Sequence, residues 1–440
     1  MRFAAIVFTA LVLALSASSQ EKPNLTGKVI DENEAPYAGA TVSIYSARPK
    51  AGAGVVCPTC YADCTKRAAT DASGLFTIPS LDPALLFRVL VTAENYSPLS
   101  LDNIDPAEGP VTAKLVELDP ARMEPGHVVR GRVLDPRGKP VAGAKIEPFA
   151  IHKGNSTQYG GLNGIDAMAI SNEKGEFAIT SDRQDLSVGI LIDAAGLARR
   201  IFMHLDAMET THKLSMTYGA TVAGAVLLDK KPVPGLFIGL AQTDRACASF
   251  VGEWVVQTNK EGRFEFPNIA PNCECVLYSK IDSPGLAGAI PEKIVAIGAD
   301  DTILDLGVLE AVPGHTLSGR VVLSDGKSVP PGTCIRITRE QAWDWKLVPV
   351  DEQGAFEAHN LPPELYEVSC TISDYHMSEQ NQSLDPFDRA RLIGMLSEDV
   401  ADLTLLMEPG ELEKRGRVSG DTQRRTQLKS EPIRGANAKE

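Results

Sequence analysis

The 440-residue chain is short of several things that define common protein classes. It has few aromatics, 6%, and no stretch between residues 21 and 409 with helical periodicity and caps, which speaks against a helical bundle or an α/β layer fold. Its only long apolar run, Phe3 to Leu15, is about 13 residues, below the roughly 20 needed to span a bilayer. Positive charge is not in excess. The formal net charge is −14, and an acidic body repels nucleic acid and anionic membrane surfaces, which removes both from the expected partners. Enzyme signatures are missing as well: there is no HExxH, no Gly-x-Ser-x-Gly, no Walker loop and no dinucleotide fingerprint. His127, His152, His204, His212, His315, His359 and His376 are scattered, with no His-x-His and no pair at helical spacing. A zinc hydrolase needs three protein ligands converging on the metal, and this pattern offers none. No cofactor is expected.

What is present begins with a secretory pattern. Arg2 supplies the positive start, Phe3 to Leu15 the apolar stretch, and Leu15-Ser-Ala-Ser-Ser-Gln the small-residue cleavage region, so residues 1–20 read as a signal peptide. No Cys follows the apolar run, against a lipoprotein anchor. The mature protein is expected to be extracytoplasmic, either secreted or periplasmic, with no membrane span.

Three phrases then recur four times in the same order. The first is Leu25-Thr-Gly-Lys-Val, Val129-Arg-Gly-Arg-Val, Val222-Ala-Gly-Ala-Val and Leu317-Ser-Gly-Arg-Val. Its glycines, Gly27, Gly131, Gly224 and Gly319, are spaced by 104, 93 and 95 residues. The second phrase centres on Gly39, Gly143, Gly235 and Gly332. The third is Asp71-Ala-Ser-Gly-Leu-Phe, Asn172-Glu-Lys-Gly-Glu-Phe, Asn259-Lys-Glu-Gly-Arg-Phe and Asp351-Glu-Gln-Gly-Ala-Phe. A period of about 95 residues is domain-sized, so the repeats are tandem domains rather than solenoid turns.

Val-x-Gly-x-Val alternates with the period of a half-buried strand, and its Gly allows another backbone to approach or marks a bulge. Asp/Asn-x-x-Gly-x-Phe is a hairpin signal: the side chain bonds the backbone two residues on, Gly takes φ > 0, and Phe begins the return strand. Short strands with frequent turns make a β-sandwich. The combined pattern Gly-x-Val, Pro-x-x-Gly-Ala, Asp-x-x-Gly-x-Phe and Leu-Pro-x-x-x-Tyr-x-Val, the last seen at Leu361-Pro-Pro-Glu-Leu-Tyr-Glu-Val, resembles the carboxypeptidase regulatory-like domain. That resemblance implies an all-β chain of four tandem transthyretin-like (prealbumin-like) β-sandwich domains, grouped with carbohydrate-binding-like folds, and implies no peptidase activity. The third repeat departs from the pattern, with Leu228 where the second has Asp135, and the second lacks the Leu-Pro loop. Two enzyme groups share transthyretin-like folds. The C-terminal Tyr-Arg-Gly-Ser of the hydroxyisourate hydrolases is absent, and the Tyr and His iron ligands of the intradiol dioxygenases have no counterpart.

The expected boundaries are a signal peptide over 1–20, sandwiches over 21–119, 126–217, 218–311 and 313–409, and a disordered tail over 410–440, polar and without aromatics. Pro-Gly elements at the joints, as in Glu310-Ala-Val-Pro-Gly-His, limit flexibility between neighbours.

Eight cysteines in an exported chain suggest disulfides. Cys57, Cys60 and Cys64 read as a disulfide-stapled loop in the first repeat, with a metal site or a redox pair as alternatives. Cys247, Cys273 and Cys275 in the third repeat leave one thiol over if they pair locally. Cys334 and Cys370, alone in the fourth repeat and each in a strand pattern, are expected to bridge. Trp343 and Trp345 are the candidate ligand platform, because sugar-binding surfaces use stacked rings. Their alternation with Asp344 and Lys346 nevertheless turns the indoles inward. The expected function is structural or interaction at the cell envelope or outside the cell, through a protein partner; the alternative is a carbohydrate-binding module with a glycan partner.

Overall fold

The computed structural model describes residues 22–50, 66–117, 124–154, 156–160, 162–207, 211–281, 283, 288–387, 389–411 and 421–435. The residues read as a signal peptide, together with Cys57, Cys60 and Cys64, lie outside them. The architecture is all-β, a succession of β-sandwiches, and the one α-helix among the described residues is Asp421–Ser430. No helix is long and apolar enough to cross a membrane.

The first sandwich has a three-stranded sheet, ordered Leu75–Ile78, Leu25–Ile30, Val111–Lys114, facing a four-stranded sheet, ordered Arg67–Ala69, Thr41–Pro49, Leu85–Thr92, Leu99–Ile104. Leu25, Val29, Val42, Ile44, Phe76, Phe87 and Val91 fill the space between them. In the second repeat, Glu176–Thr180 pairs antiparallel with Val128–Leu134, and Lys145–Lys153 pairs with Ser156–Tyr159 and Ala169–Ile170.

The third sandwich has Ala220–Leu228 between Arg263–Ile269 and Ile303–Glu310 on one side. Its other sheet is ordered Glu253–Gln257, Phe237–Gln242, Glu274–Ser279, Lys293–Ala296. The fourth repeats this plan, with His315–Leu323 between Ala355–Leu361 and Val400–Pro409, and a second sheet ordered Trp345–Pro349, Cys334–Arg339, Leu365–Cys370, Arg391–Met395. The chain divides into two compact units: described residues up to Arg132 with 141–188 and 204–212, and residues 133–140, 189–203 and the described residues from Lys213 on.

The repeated phrases meet one another in space. The first-phrase Gly lies directly opposite the third-phrase Phe in all four repeats: Gly27 with Phe76, Gly131 with Phe177, Gly224 with Phe264 and Gly319 with Phe356. A Cβ on Gly27 would sit 2.7 Å from the Phe76 ring and 2.4 Å from the Val111 carbonyl oxygen. On Gly319 it would meet the Leu403 carbonyl oxygen at 2.0 Å. The missing side chain thus lets the final, parallel strand approach while the phenyl ring covers the gap.

The hairpins follow their sequence signal. Asp71 Oδ1 accepts from the N–H groups of Ser73 and Leu75 at 2.8 and 2.9 Å. Asn172, Asn259 and Asp351 repeat the arrangement. The hairpin glycines have φ between 71° and 81°. A further feature leaves no pattern in the sequence. The residue before each of the first three Asp/Asn positions is a buried hydroxyl, Thr70, Ser171 or Thr258. Each donates to a carbonyl of the second phrase and accepts from an N–H three residues further along it.

The tail departs from the expected disorder over 421–435. The Met395 N–H donates to the Glu431 carbonyl at 2.8 Å, and the Ile433 N–H donates to the Met395 carbonyl at 2.9 Å, which adds a short segment to the Arg391–Met395 edge. Ile433 enters the core of the fourth sandwich. Arg425 pairs with Asp385 at 2.6 Å and Lys429 with Glu340. The basic tail docks because the sandwich presents carboxylates, and a pattern of low hydrophobicity did not reveal that two apolar residues, Leu428 and Ile433, would be buried.

Replacing Gly319 by Ala is expected to destabilise the protein by about 1–3 kcal/mol, the usual range for overpacking a filled site. Denaturant titration would show a lower midpoint with an unchanged slope.

Candidate functional site

An enclosed polar cluster lies between the third and fourth sandwiches, within the second compact unit. It starts from a residue that breaks a pattern. In Cys334–Arg339 the inward positions are Ile335, Ile337 and Arg339, so strand alternation carries a guanidinium to a core-facing site. Arg339 is 1% exposed. Its Nε donates to Glu364 Oε2 at 2.7 Å and its Nη2 to Glu364 Oε1 at 2.6 Å, a two-point clamp. Nη1 donates to the carbonyl of Ser279 and approaches Asp344 Oδ2 at 3.4 Å. Nη2 reaches the Ile290 carbonyl at 3.5 Å. One side chain of the fourth sandwich therefore holds two backbone carbonyls of the third, while its guanidinium lies 5.2 Å from the Tyr278 ring centre.

A second cation, Lys280, contacts Glu253 Oε1 at 2.9 Å and Asp344 Oδ1 at 3.0 Å. Tyr278 donates its hydroxyl to the same Glu253 oxygen. The Glu292 N–H donates to Glu364, and Glu292 Oε1 accepts from the Ala342 N–H at 3.0 Å. Beside the cluster, the Arg245 guanidinium lies 4.7 Å from the ring centre of Phe250 and 5.1 Å from that of Trp343.

Two cations, Arg339 and Lys280, face four carboxyls, Glu253, Asp344, Glu364 and Glu292. Burial pushes the Glu253 carboxyl up, against the pull of Lys280. Burial, then the neighbouring Glu364, pushes Glu292 up, against Arg339. Burial opposes the charge on Lys280 and Arg339, but adjacent carboxylates outweigh it and both titrate above their ordinary values.

The residues singled out in the sequence fall differently. Trp343 is half exposed and Asp344 is buried, the reverse of the expected alternation, because the enclosed cations draw the carboxylate inward. The two indoles do not share a platform. Trp343 packs on Phe250, with ring centres 4.9 Å apart and planes at 53°, whereas Trp345 is covered by Arg336 at 4.7 Å. Cys334 and Cys370 are free thiols. Cys370 lies opposite Ile335, one residue out of register with Cys334, so the two side chains leave opposite faces of the sheet. Burial pushes the Cys370 thiol up to about 12. Cys247 is exposed and unbridged. Cys273 and Cys275 bring their sulfurs to 3.7 Å without a bond. Among the described residues no three His, Cys, Asp or Glu side chains are grouped to hold a metal ion. The signal that could have revealed the cluster is Arg339 on the inward phase of an Ile-x-Ile-x-Arg strand.

No protein-family model and no curated protein matches the chain. Solved structures give distant likenesses. The Streptococcal ancillary pilin aligns at a TM-score of 0.23 and 10% identity, covering 66% of this chain and all of its own. GBS52, the minor pilin of Streptococcus agalactiae, aligns at 0.22 and 13%, covering 46% of this chain and all of its own. BcpA, the major pilin subunit of Bacillus cereus, aligns at 0.19 and 10%, covering 66% of this chain and 99% of its own. At these scores the likenesses carry no argument about this chain, whose reading rests on its own residues.

Two outcomes test the cluster. Replacing Arg339 by Met is expected to destabilise the protein by about 3–5 kcal/mol, since it leaves Glu364 and the Ser279 and Ile290 carbonyls buried without their partner; chemical denaturation measures this. A carboxyl whose folded pKa is raised stabilises fully below its unfolded pKa, ordinarily 4.5 for Glu292, and that stability is lost as pH rises through the folded pKa. Glu292→Gln should therefore remove a decline in stability above pH ~4.5, seen as a wild-type-minus-variant difference that shrinks with rising pH.

Proposed function

We propose that this is an exported, non-enzymatic protein with a structural or protein-interaction role outside the cytoplasm, built from domains of the carboxypeptidase regulatory-like kind. The observation that carries this reading is the fate of the most deeply enclosed charged groups. Arg339, Asp344 and Glu364 are spent on one another and on backbone carbonyls, and at no more than 7% exposure they are closed to a substrate. Catalytic groups must reach the reacting atoms, whereas groups enclosed between two domains fix their geometry. The extracytoplasmic placement rests on the signal-like reading of residues 1–20, and the four-domain division on the fourfold recurrence of the three phrases.

Carbohydrate binding is the second reading. Trp343 is 49% exposed and sits beside Phe250 and Arg245, which gives a small aromatic surface with a cation. A glycan array run beside affinity capture from envelope extract separates the two. The structural reading expects a reproducible protein partner and no saturable glycan signal. Glycan binding that disappears in Trp343→Ala would overturn it in favour of the second.

A further inference from the structure

His152 and His204, far apart in the sequence, meet in the second repeat, and both belong to the first compact unit. Their ring centres are 4.0 Å apart and their planes are tilted by 34°. His152 lies on the strand Lys145–Lys153, directly opposite Thr157 of its antiparallel neighbour Ser156–Tyr159. That pairing puts Thr157 Oγ1 3.0 Å from His152 Nδ1. The other ring nitrogen, Nε2, is enclosed against the His204 ring and has no hydrogen-bond partner, in a residue that is 6% exposed. An enclosed polar atom without a partner is costly, so a histidine used only for packing would have both nitrogens bonded. With Nδ1–H donating to Thr157, Nε2 carries a bare lone pair, the state in which imidazole binds a metal ion.

His204 comes from the strand Arg200–Asp206. It holds a left-handed backbone in mid-strand, φ 56°, a conformation that non-glycine residues seldom keep. The residue is exposed, which gives the pair a side open to solvent. Burial, then the neighbouring His204, lowers the affinity of His152 for a proton, and Asp206 acts the other way. A proton held off the ring leaves its lone pair free for a different cation. Imidazole suits Zn²⁺, Ni²⁺ and Cu²⁺, whereas Ca²⁺ and Mg²⁺ take oxygen ligands. Two nitrogens on one tetrahedral zinc stand roughly 3.3 Å apart, given Zn–N bonds of about 2.05 Å. Rings whose centres are 4.0 Å apart reach that separation by side-chain rotation.

We propose that His152 and His204 form a two-imidazole binding site for a divalent transition-metal ion of the zinc, nickel and copper kind. His152 Nε2 and one ring nitrogen of His204 are the protein ligands, and water fills the remaining positions on the open side. Thr157 fixes the orientation of the His152 ring through Nδ1. The Asp206 carboxylate offsets part of the ion's charge. Among the described residues no group of three His, Cys, Asp or Glu side chains is placed to hold a metal. The site therefore exchanges its ion with solution, unlike a closed four-ligand zinc centre.

Titration of the full chain, labelled with ¹⁵N-histidine, with Zn²⁺ tests this by NMR of the imidazole nitrogens. Zn²⁺ is expected to shift the His152 and His204 resonances together and to leave the other five of the seven histidines in place. Mg²⁺ should shift neither. His204→Phe keeps a ring against His152 but removes the second ligand, so the affinity read from the His152 resonance should fall at least about tenfold. Thr157→Val leaves both imidazoles and should weaken binding by a smaller factor. Protons compete for the same nitrogens, so affinity should also fall at least about tenfold from pH ~7.5 to pH ~5.5, across the ordinary imidazole pKa of ~6.5. Zn²⁺ that leaves the His152 and His204 resonances unmoved would overturn the proposal. So would a His152 response in folded His204→Phe as tight as in the unaltered chain. Neither result bears on the structural reading of the protein, which rests on the joint between the third and fourth sandwiches.

Discussion

One guanidinium decides how the second half of this protein is put together. Arg339 is enclosed, and an enclosed charge persists only if nearly all of its donors are engaged and its charge is matched. The fourth sandwich supplies Glu364 and Asp344, and the third supplies the Ser279 and Ile290 carbonyls. Neither sandwich could bury this side chain alone. Around it the remaining groups arrange themselves by charge: Lys280 offsets Asp344, and burial pushes the carboxyls of Glu253 and Glu292 above their ordinary range. A joint made of directional bonds has a defined geometry, in contrast to apolar faces, which tolerate sliding.

The fold behind this joint was largely legible. The alternation in Val-x-Gly-x-Val gave strands, Asp/Asn-x-x-Gly gave hairpins whose side-chain bonds are the ones observed, and the recurrence of Gly and Phe is explained by their facing each other across a strand pair. These features are local, or repeat in register, so a linear reading captures them. The buried hydroxyls Thr70, Ser171 and Thr258 recur just ahead of the first three hairpins. They escaped because a Ser or Thr in a polar stretch gives no sign of being enclosed.

The joint was not legible, for the same physical reason that makes it informative. Its members come from Glu253, Tyr278, Lys280, Glu292, Arg339, Asp344 and Glu364, positions that no short-range pattern connects. Asp344 between two tryptophans looked like the solvent side of a strand, and only the enclosed cations reverse that. Cys334 and Cys370 show how sensitive such inferences are to register: a one-residue offset between paired strands put the two thiols on opposite faces. The docking of Leu428 and Ile433 likewise depends on acidic residues far away in sequence, Glu340, Glu367 and Asp385.

The enclosed cluster joins the third and fourth sandwiches through directional bonds, and its consequence is mechanical: two domains that open as one. Native-state hydrogen exchange across a denaturant series measures that directly. The account predicts that core amides of the strands Glu274–Ser279 and Cys334–Arg339 lose protection together, at one denaturant concentration. Loss of protection in one strand while the other remains fully protected would contradict it.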